Sequence, residues 1–158
     1  MKKRSYLWMF GLILSVMTLG FSSCSDDEDG PGSSEDLIGT WQSVSIIDWE
    51  KKDGEIVYGS EEEQEDYDLK IIFDEDGSCK SYERRSNKWY LNDEGTWKYK
   101  GGKIYTYDED GELLDDGIPA TVKKLTSSEL IIEYYEKETE DGICYEYYEK
   151  VVFQKISD

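Results

Sequence analysis

The sequence predicts an all-β domain over residues 37–158, folded as an antiparallel up-and-down meander of about eight or nine strands. Three observations carry this prediction. Asp-Gly turn dipeptides recur at residues 53, 76, 110, 116 and 141, and Gly101-Gly102 adds another break. The segments between these turns are rich in β-branched and aromatic residues. No apolar stripe persists at helical spacing for three turns.

Each stretch between two turns is predicted to be one strand. Leu69, Ile71 and Phe73 are opposed to Asp68 and Lys70, so one face of their strand is expected to be buried. The acidic segment 61–67 is expected to form a short helix or a loop. Tight turns make sequential strands neighbours, which closes most simply into an up-and-down β-barrel, with a β-sandwich as the alternative. The predicted strands are residues 38–49, 55–58, 68–73, 78–84, 96–100, 103–107, 120–125, 129–137 and 143–156.

Residues 1–23 have the organisation of a secretory signal peptide. Lys2, Lys3 and Arg4 precede an apolar run. The run from Tyr6 to Phe21 is sixteen residues long, shorter than the roughly 20 that a membrane-spanning helix needs. We therefore expect this segment to direct export and to be removed.

The residues that follow carry two further signals. Phe21-Ser22-Ser23-Cys24 resembles the lipobox of bacterial lipoproteins, which implies that Cys24 is acylated and becomes the mature N-terminus; the alternative is an ordinary secretory signal. Ser25-Asp26-Asp27-Glu28-Asp29 resembles the acidic export signal of Bacteroidetes-type lipoproteins. That resemblance implies an outer-membrane protein displayed on the cell surface. The alternatives are anchoring on the periplasmic face and a purely solvating spacer.

Charge and composition define the mature chain. Residues 24–36 are expected to form a flexible acidic linker, and residues 37–158 are the size of one domain. Residues 1–23 contain three basic and no acidic residues, so their removal changes the formal net charge from −19 to −22. Such a charge repels phosphates and excludes nucleic acid as a partner. The expected partner is the lipid bilayer, through acylated Cys24.

The residues that usually carry catalysis are scarce. The sequence contains no histidine, which excludes Ser-His and Cys-His nucleophile pairs and imidazole metal sites. Asp74 to Gly77 and Asp108 to Gly111 begin like calcium loops but lack the later ligands, so they are predicted to be hairpin turns. The sequence leaves a Cys79–Cys144 disulfide open. We predict no enzymatic activity, no catalytic residue, no metal and no cofactor.

Four motifs in order carry a family resemblance. They are Leu37-Ile38-Gly39-Thr40-Trp41, Phe73-Asp74-Glu75-Asp76-Gly77, Gly95-Thr96-Trp97-Lys98-Tyr99 and Lys124-Leu125-Thr126-Ser127-Ser128-Glu129-Leu130. Together they resemble the lipocalin-like domains of Bacteroidetes lipoproteins. The resemblance implies a β-barrel in which Gly39 admits the chain to the first strand and Trp41 plugs one end.

Aromatic residues suggest two functions. The first is a non-enzymatic module that binds a small apolar or amphiphilic ligand in the barrel mouth. The second is a protein or glycan interaction module that uses exposed loops on a packed barrel. The candidate ligand contacts are Trp89, Tyr90, Trp97 and Tyr99, of which Trp89 and Tyr90 are expected in an exposed loop. An interior cavity above roughly 300 Å³ would favour the first function.

Overall fold

The computed structural model describes residues 30–65, 68–114 and 118–156. The described residues form nine strands and one short helix, joined mostly by tight turns. The elements are α1 (Ser34–Leu37), β1 (Gly39–Lys52), β2 (Glu55–Glu65), β3 (Leu69–Phe73), β4 (Ser78–Arg85), β5 (Lys88–Lys100), β6 (Lys103–Tyr107), β7 (Ala120–Leu125), β8 (Glu129–Glu140) and β9 (Ile143–Ile156).

The strands form an antiparallel barrel, as the sequence predicted, and not a sandwich. Consecutive strands pair from β3 to β9, and β9 then pairs with β1 from Thr40 to Lys52, which closes the sheet. The first half of β1, Gly39 to Gln42, pairs with β3, whereas its second half, Ser45 to Lys52, pairs with β2. The barrel therefore has eight strands, and β2 is an additional strand beside β1.

The two ends of the barrel differ. The end that holds α1 and the turns after β3, β5 and β7 is here named the closed end. At the opposite, open end lie the tips of the β1–β2, β4–β5 and β8–β9 hairpins. Each tip has two successive residues with positive φ, as in Asp53 (51°) with Gly54 (85°) and Asp141 (52°) with Gly142 (82°). This conformation matches the twist of two-residue hairpins, which explains why Asp-Gly is used there. The Asp-Gly pair at residue 116 lies outside the described residues.

The core fills the closed end. Trp41, Leu37 and Phe153 have no solvent exposure, and the indole Nε1 of Trp41 donates a hydrogen bond of 2.7 Å to the carbonyl oxygen of Leu37. The short helix α1 is therefore tied directly to the first strand. Lys155 adds a second tie, because its Nζ donates to the carbonyl oxygen of Asp36 and lies 4.9 Å from the Trp41 ring centroid.

Three expectations differ from the structure. The acidic residues 61–65 continue strand β2 instead of forming a helix or loop, because β1 offers them a pairing partner. Residues 88–95, expected as a loop, belong to β5 and pair with β4. The last part of the expected linker packs on the closed end: the Tyr99 hydroxyl donates to the carbonyl oxygen of Pro31 at 2.8 Å, and Ser33 caps α1. Strand pairing decides the first two and packing against the barrel decides the third, and neither can be read from a segment's own composition.

Candidate functional site

A cavity of about 440 Å³ lies inside the barrel. Its apolar wall comes from side chains that alternate along strands β3, β6, β7 and β8, so that every second residue points inward. These residues also form much of the core above the closed end. The apolar wall consists of Leu69, Ile71, Phe73, Ile104, Ala120 and Ile132.

Two tryptophans belong to the core that fills the closed end of the barrel. Trp97 packs edge-on against Phe73 with ring centroids 5.2 Å apart, and its Nε1 donates to the carbonyl oxygen of Asp74 at 3.2 Å. Trp41 lies fully buried in the same core. The barrel is therefore filled at the closed end, and its free volume lies toward the open end.

Cys79 is the nucleophilic side chain in the cavity wall. It is buried with 6% exposure, and this burial, together with the charges of Asp74 and Asp93, raises the pKa of its thiol to about 11. A thiol held protonated at neutral pH is a poor nucleophile. Both Cys79 and Cys144 are free, so the disulfide that the sequence left open is not formed.

A second recess of about 240 Å³ adjoins the cavity at the open end. The two share Ile118, Tyr134 and Glu149 in their walls. Tyr58 and Tyr147 contribute rings to the recess, and acidic side chains surround them. The recess is therefore lined mainly by aromatic and acidic side chains, whereas the cavity has an apolar wall beside polar and charged residues such as Lys80, Asp93 and Glu94.

Cross-strand pairing on β1, β9 and β8 explains this difference. On the inner face, three successive rows run from the cavity toward the open end, and successive rows are about 6.8 Å apart because side chains alternate along a strand. The rows are here named the apolar row (Ile46, Val151, Ile132), the second row (Asp48, Glu149, Tyr134) and the third row (Glu50, Tyr147, Glu136).

The outer face of the same three strands carries an aromatic group, whose members Trp49 and Tyr148 also border the recess. Trp49 stacks on Tyr148 with ring centroids 5.3 Å apart, and the Tyr148 hydroxyl donates to Glu133 at 3.1 Å. Burial and the nearby Glu133 raise the pKa of Tyr148. These contacts stabilise the long β8–β9–β1 sheet from outside, because cross-strand aromatic pairs add to strand pairing.

The structure places the sequence-predicted aromatic contacts away from the cavity walls. Trp97 lies in the core, and Tyr99 points to the closed end, where its hydroxyl meets Pro31. Trp89 lies on the outer face beneath Lys70, whose Nζ is 4.8 Å from the ring centroid. Tyr90 is half exposed in β5. None of the four is among the residues that line the two cavities.

The remaining predicted positions fall into two groups. Gly39 has a φ of 131°, and Trp41 occupies the closed end beside it, where the plug was expected. Cys24 and the acidic stretch Ser25 to Asp29 lie outside the described residues, as does the signal peptide. In the described ranges no group of three or more metal-ligating side chains comes together.

In the acidic turns after β3 and β6, aspartate carboxylates accept hydrogen bonds from the backbone of the turn. In the turn after β6, Asp108 Oδ1 accepts hydrogen bonds of 2.9 Å from the backbone N–H groups of Asp110 and Glu112. In the turn after β3, Asp76 Oδ1 accepts from the N–H of Ser78. Hydrogen bonding by the side chain of Ser78, and then by its backbone N–H, lowers the pKa of Asp76. These carboxylates are used to fix the local backbone.

The sequence analysis missed the second and third rows. Their signal is present in the sequence, because Tyr145, Tyr147, Val151 and Phe153 share one face of the last strand. That face could not be assigned to the interior from the sequence, since tyrosines occur on both faces of the hairpin. The closure of β9 onto β1 makes it the inner face.

A closed antiparallel barrel, plugged at one end and hollow toward the other, defines the class of lipocalin-like barrels. The chain belongs to the family of lipocalin-like domains, whose family model matches residues 37–132. The structure continues the barrel past this match with the rest of β8 and with β9. Proteins with this fold are generally ligand-binding modules and not enzymes. A comparison with curated proteins gives no match.

Within the described ranges, none of the helices has the length and apolar character to span a bilayer.

Proposed function

We propose that this protein is a non-enzymatic binding module that holds a small apolar or amphiphilic ligand inside the barrel. The observation that carries the proposal is the cavity of about 440 Å³ with its aliphatic and aromatic wall. Ligand sites typically begin at roughly 300 Å³, and they are mostly apolar with a few polar groups. Such a volume distinguishes this barrel from small barrels whose interior is filled by side chains.

The chemistry of the cavity wall supports binding over catalysis. The thiol of Cys79 has a pKa of about 11 and therefore stays protonated at neutral pH. The chain has no histidine to act as its base. We therefore assign no catalytic residue to the cavity.

A second candidate function is a protein or glycan interaction through the exposed β4–β5 hairpin, which carries Trp89 and Leu91 on one face and Tyr90 on the other. The exposure of Tyr90 and Leu91, each 50% exposed, favours it. Trp89 adds a ring that already packs under Lys70 and Arg84, whose charged groups lie 4.8 and 5.7 Å from its centroid. The hairpin and the cavity are on different parts of the barrel, so one binding experiment can distinguish the two candidate functions.

The test is a titration with N-phenyl-1-naphthylamine, a neutral apolar fluorophore, against the mature chain produced without acylation as Cys24→Ala. The substitution Ala120→Phe puts a ring into the cavity, because Ala120 is a cavity-wall residue with 3% exposure. Its matched control is Thr121→Phe, since the next residue of β7 faces outward.

We expect fluorophore binding in the parent chain and the control, and a loss of at least about tenfold in Ala120→Phe. Native mass spectrometry of the parent chain should also show a co-purified small molecule. Equal binding by both variants, or none by the parent chain, would reject the interior site and favour the hairpin surface.

We also propose that the protein is an outer-membrane lipoprotein anchored through acylated Cys24 and displayed on the cell surface. The lipobox-like stretch before Cys24 and the acids at positions 26–29 support this proposal. Attached acyl chains bury methylene groups at about 0.8 kcal/mol each, and more than one chain gives a stable anchor.

Two sets of substitutions test the membrane anchor and the export signal separately. Cys24→Ala should release the protein from membrane fractions, and continued retention would reject acylation at this residue. Replacing Asp26, Asp27, Glu28 and Asp29 by alanine should keep the protein anchored but protect it from protease added to intact cells. Unchanged digestion would show that these acids serve only as a spacer.

A further inference from the structure

We infer that the closed end of the barrel faces the membrane, with Lys100 and Lys103 of the β5–β6 turn against an anionic lipid surface, so that the open end points away from the bilayer. This inference rests on the proposed anchor at Cys24 and adds to it the surface that meets the lipid. It depends on the point at which the structure holds the N-terminal segment against the barrel and on the short length of chain before that point.

The structure fixes the point at which the N-terminal segment reaches the barrel. The hydroxyl of Tyr99 donates a hydrogen bond of 2.8 Å to the carbonyl oxygen of Pro31. Gly30 lies so close to the β5–β6 turn that a β-carbon on it would be 2.4 Å from the Cα of Gly102. Helix α1 follows directly and packs at the same end of the barrel. The chain therefore arrives at the closed end, beside the β5–β6 turn.

The covalent chain between the proposed anchor and this point is short. Cys24 precedes Gly30 by six residues, which span at most about 20 Å when fully extended. Strand β5 runs for 13 residues from Lys88, at the tip of the β4–β5 hairpin, to Lys100, a length of about 40 Å. Because barrel strands are tilted by roughly 35–45°, this tip lies about 30 Å from the β5–β6 turn along the barrel axis. The chain is therefore too short for the open end to rest on the bilayer that holds Cys24.

Two lysines flank the turn at which the chain arrives. Lys100 and Lys103 are exposed and lie directly opposite each other across Gly101-Gly102. Neither ammonium group has an ion pair, a hydrogen bond or a ring contact with another residue that the structure describes. Like charges in directly opposed positions repel each other. Phosphate groups of an anionic lipid surface would neutralise both charges.

Other basic residues near the closed end have partners of their own. Lys123 and Lys124 pair with glutamates at 3.0 and 2.6 Å. Lys155 donates a hydrogen bond to a backbone carbonyl oxygen of α1. The lysine pair of the β5–β6 turn is therefore the part of this surface that offers positive charge to a lipid. The four acids at positions 26–29 are the alternative partner for the lysine pair, and the experiment distinguishes them from the lipid.

The experiment uses the acylated mature protein in phosphatidylcholine vesicles, with or without phosphatidylglycerol, that carry a nitroxide quencher on the headgroup of a minor lipid. A bimane fluorophore is attached to one introduced cysteine in the background Cys144→Ser, in which Cys79 is buried. Ser127→Cys, in the exposed turn after β7, reports on the closed end, and Lys88→Cys reports on the tip of the β4–β5 hairpin. The background without an introduced cysteine should take up no fluorophore, because acylation blocks the thiol of Cys24.

We expect the nitroxide to lower the fluorescence at Ser127→Cys and to leave the fluorescence at Lys88→Cys unchanged. Phosphatidylglycerol should increase the loss at Ser127→Cys, because it supplies the negative surface charge that attracts lysines. Added salt should reverse this increase, since salt screens the attraction. Equal quenching at the two positions, or stronger quenching at Lys88→Cys, overturns the inference.

The variant Lys100→Gln/Lys103→Gln tests the lysine pair with the fluorophore at Ser127→Cys. A lysine near an anionic surface favours contact by about fivefold, so this variant should lose the additional quenching that phosphatidylglycerol causes. The matched control Lys52→Gln/Lys88→Gln makes the same change in net charge at exposed positions of the open end and should keep that quenching. An equal loss in both variants overturns the lipid contact, since net charge alone would explain it. No loss in either also overturns it and favours pairing of the lysines with the acids at positions 26–29.

The outcomes separate this inference from the proposed anchor. A purified protein that carries no acyl chain at Cys24, or that does not stay on the vesicles, overturns the anchor and the inference together. A protein that stays on the vesicles without preferential quenching at Ser127→Cys overturns the inference and leaves the anchor in place. Neither result bears on ligand binding in the cavity, which the fluorophore titration tests separately.

Discussion

The substitution Trp41→Phe tests how the barrel is closed at its plugged end. Trp41 has no solvent exposure, and its Nε1 donates a buried hydrogen bond of 2.7 Å to the carbonyl oxygen of Leu37. Lys155 lies 4.9 Å from the ring centroid. Phenylalanine retains a ring at this position but removes the donor and part of the ring volume.

The expected destabilisation has two parts. A buried carbonyl oxygen that loses its partner costs about 1–3 kcal/mol. The lost ring atoms cost about 1 kcal/mol more, since about 0.8 kcal/mol accompanies each buried methylene-sized group. We therefore expect the free energy of unfolding to fall by about 2–4 kcal/mol.

Urea unfolding followed by far-ultraviolet circular dichroism measures this change. The midpoint should fall while the dependence of the free energy on urea stays the same, because the folded barrel remains. The matched control is Trp89→Phe on the outer surface of β5, for which we expect a change within about 0.5 kcal/mol. Equal effects at the two tryptophans would refute the assignment of Trp41 as the plug.

Two further predictions concern the barrel wall. The pKa of Cys79 is raised to about 11 from 9.0, so folding favours the protonated thiol; this stability is complete below about pH 9 and is lost as the pH rises toward 11. Urea titrations at pH 8 and pH 10.5 should show a smaller loss of stability in Cys79→Ala than in the parent chain, and equal losses would contradict the burial of the thiol. Gly95→Ala should destabilise the barrel by about 1–3 kcal/mol, because a β-carbon there would lie 1.8 Å from the carbonyl oxygen of Tyr107. Thermal unfolding checks it, with the exposed Thr96→Ala as control, and an unchanged midpoint would show that β5 and β6 move apart freely.

The β-rich fold was predictable because its signals are local. Asp-Gly turns need residues that accept positive φ, and alternating segments such as residues 69–73 need one buried face. Trp41 and Gly39 could likewise be placed at a barrel end, through the resemblance of their motif to lipocalin-like domains. The predictions of a helix or loop at residues 61–65 and of a loop at residues 88–95 were wrong. These residues form strands because they pair with β1 and β4.

The candidate site could not be predicted in the same way. The proposed contacts Trp89 and Tyr90 lie outside the cavity, although their size and position in the sequence favoured them. Glu149 and Tyr134 reach the cavity because β9 pairs with both β1 and β8. No local pattern distinguishes their face of the last hairpin from the opposite one, where Tyr148 and Glu133 form their own hydrogen bond.

The sequence by itself determined which segments become strands and where the chain turns, because these depend on backbone conformation and on the alternation of neighbouring residues. The tertiary structure alone decided which tyrosines and acids face the interior and how much space remains between them. Both depend on the register with which the last strand meets the first, and these strands are about a hundred residues apart in the chain.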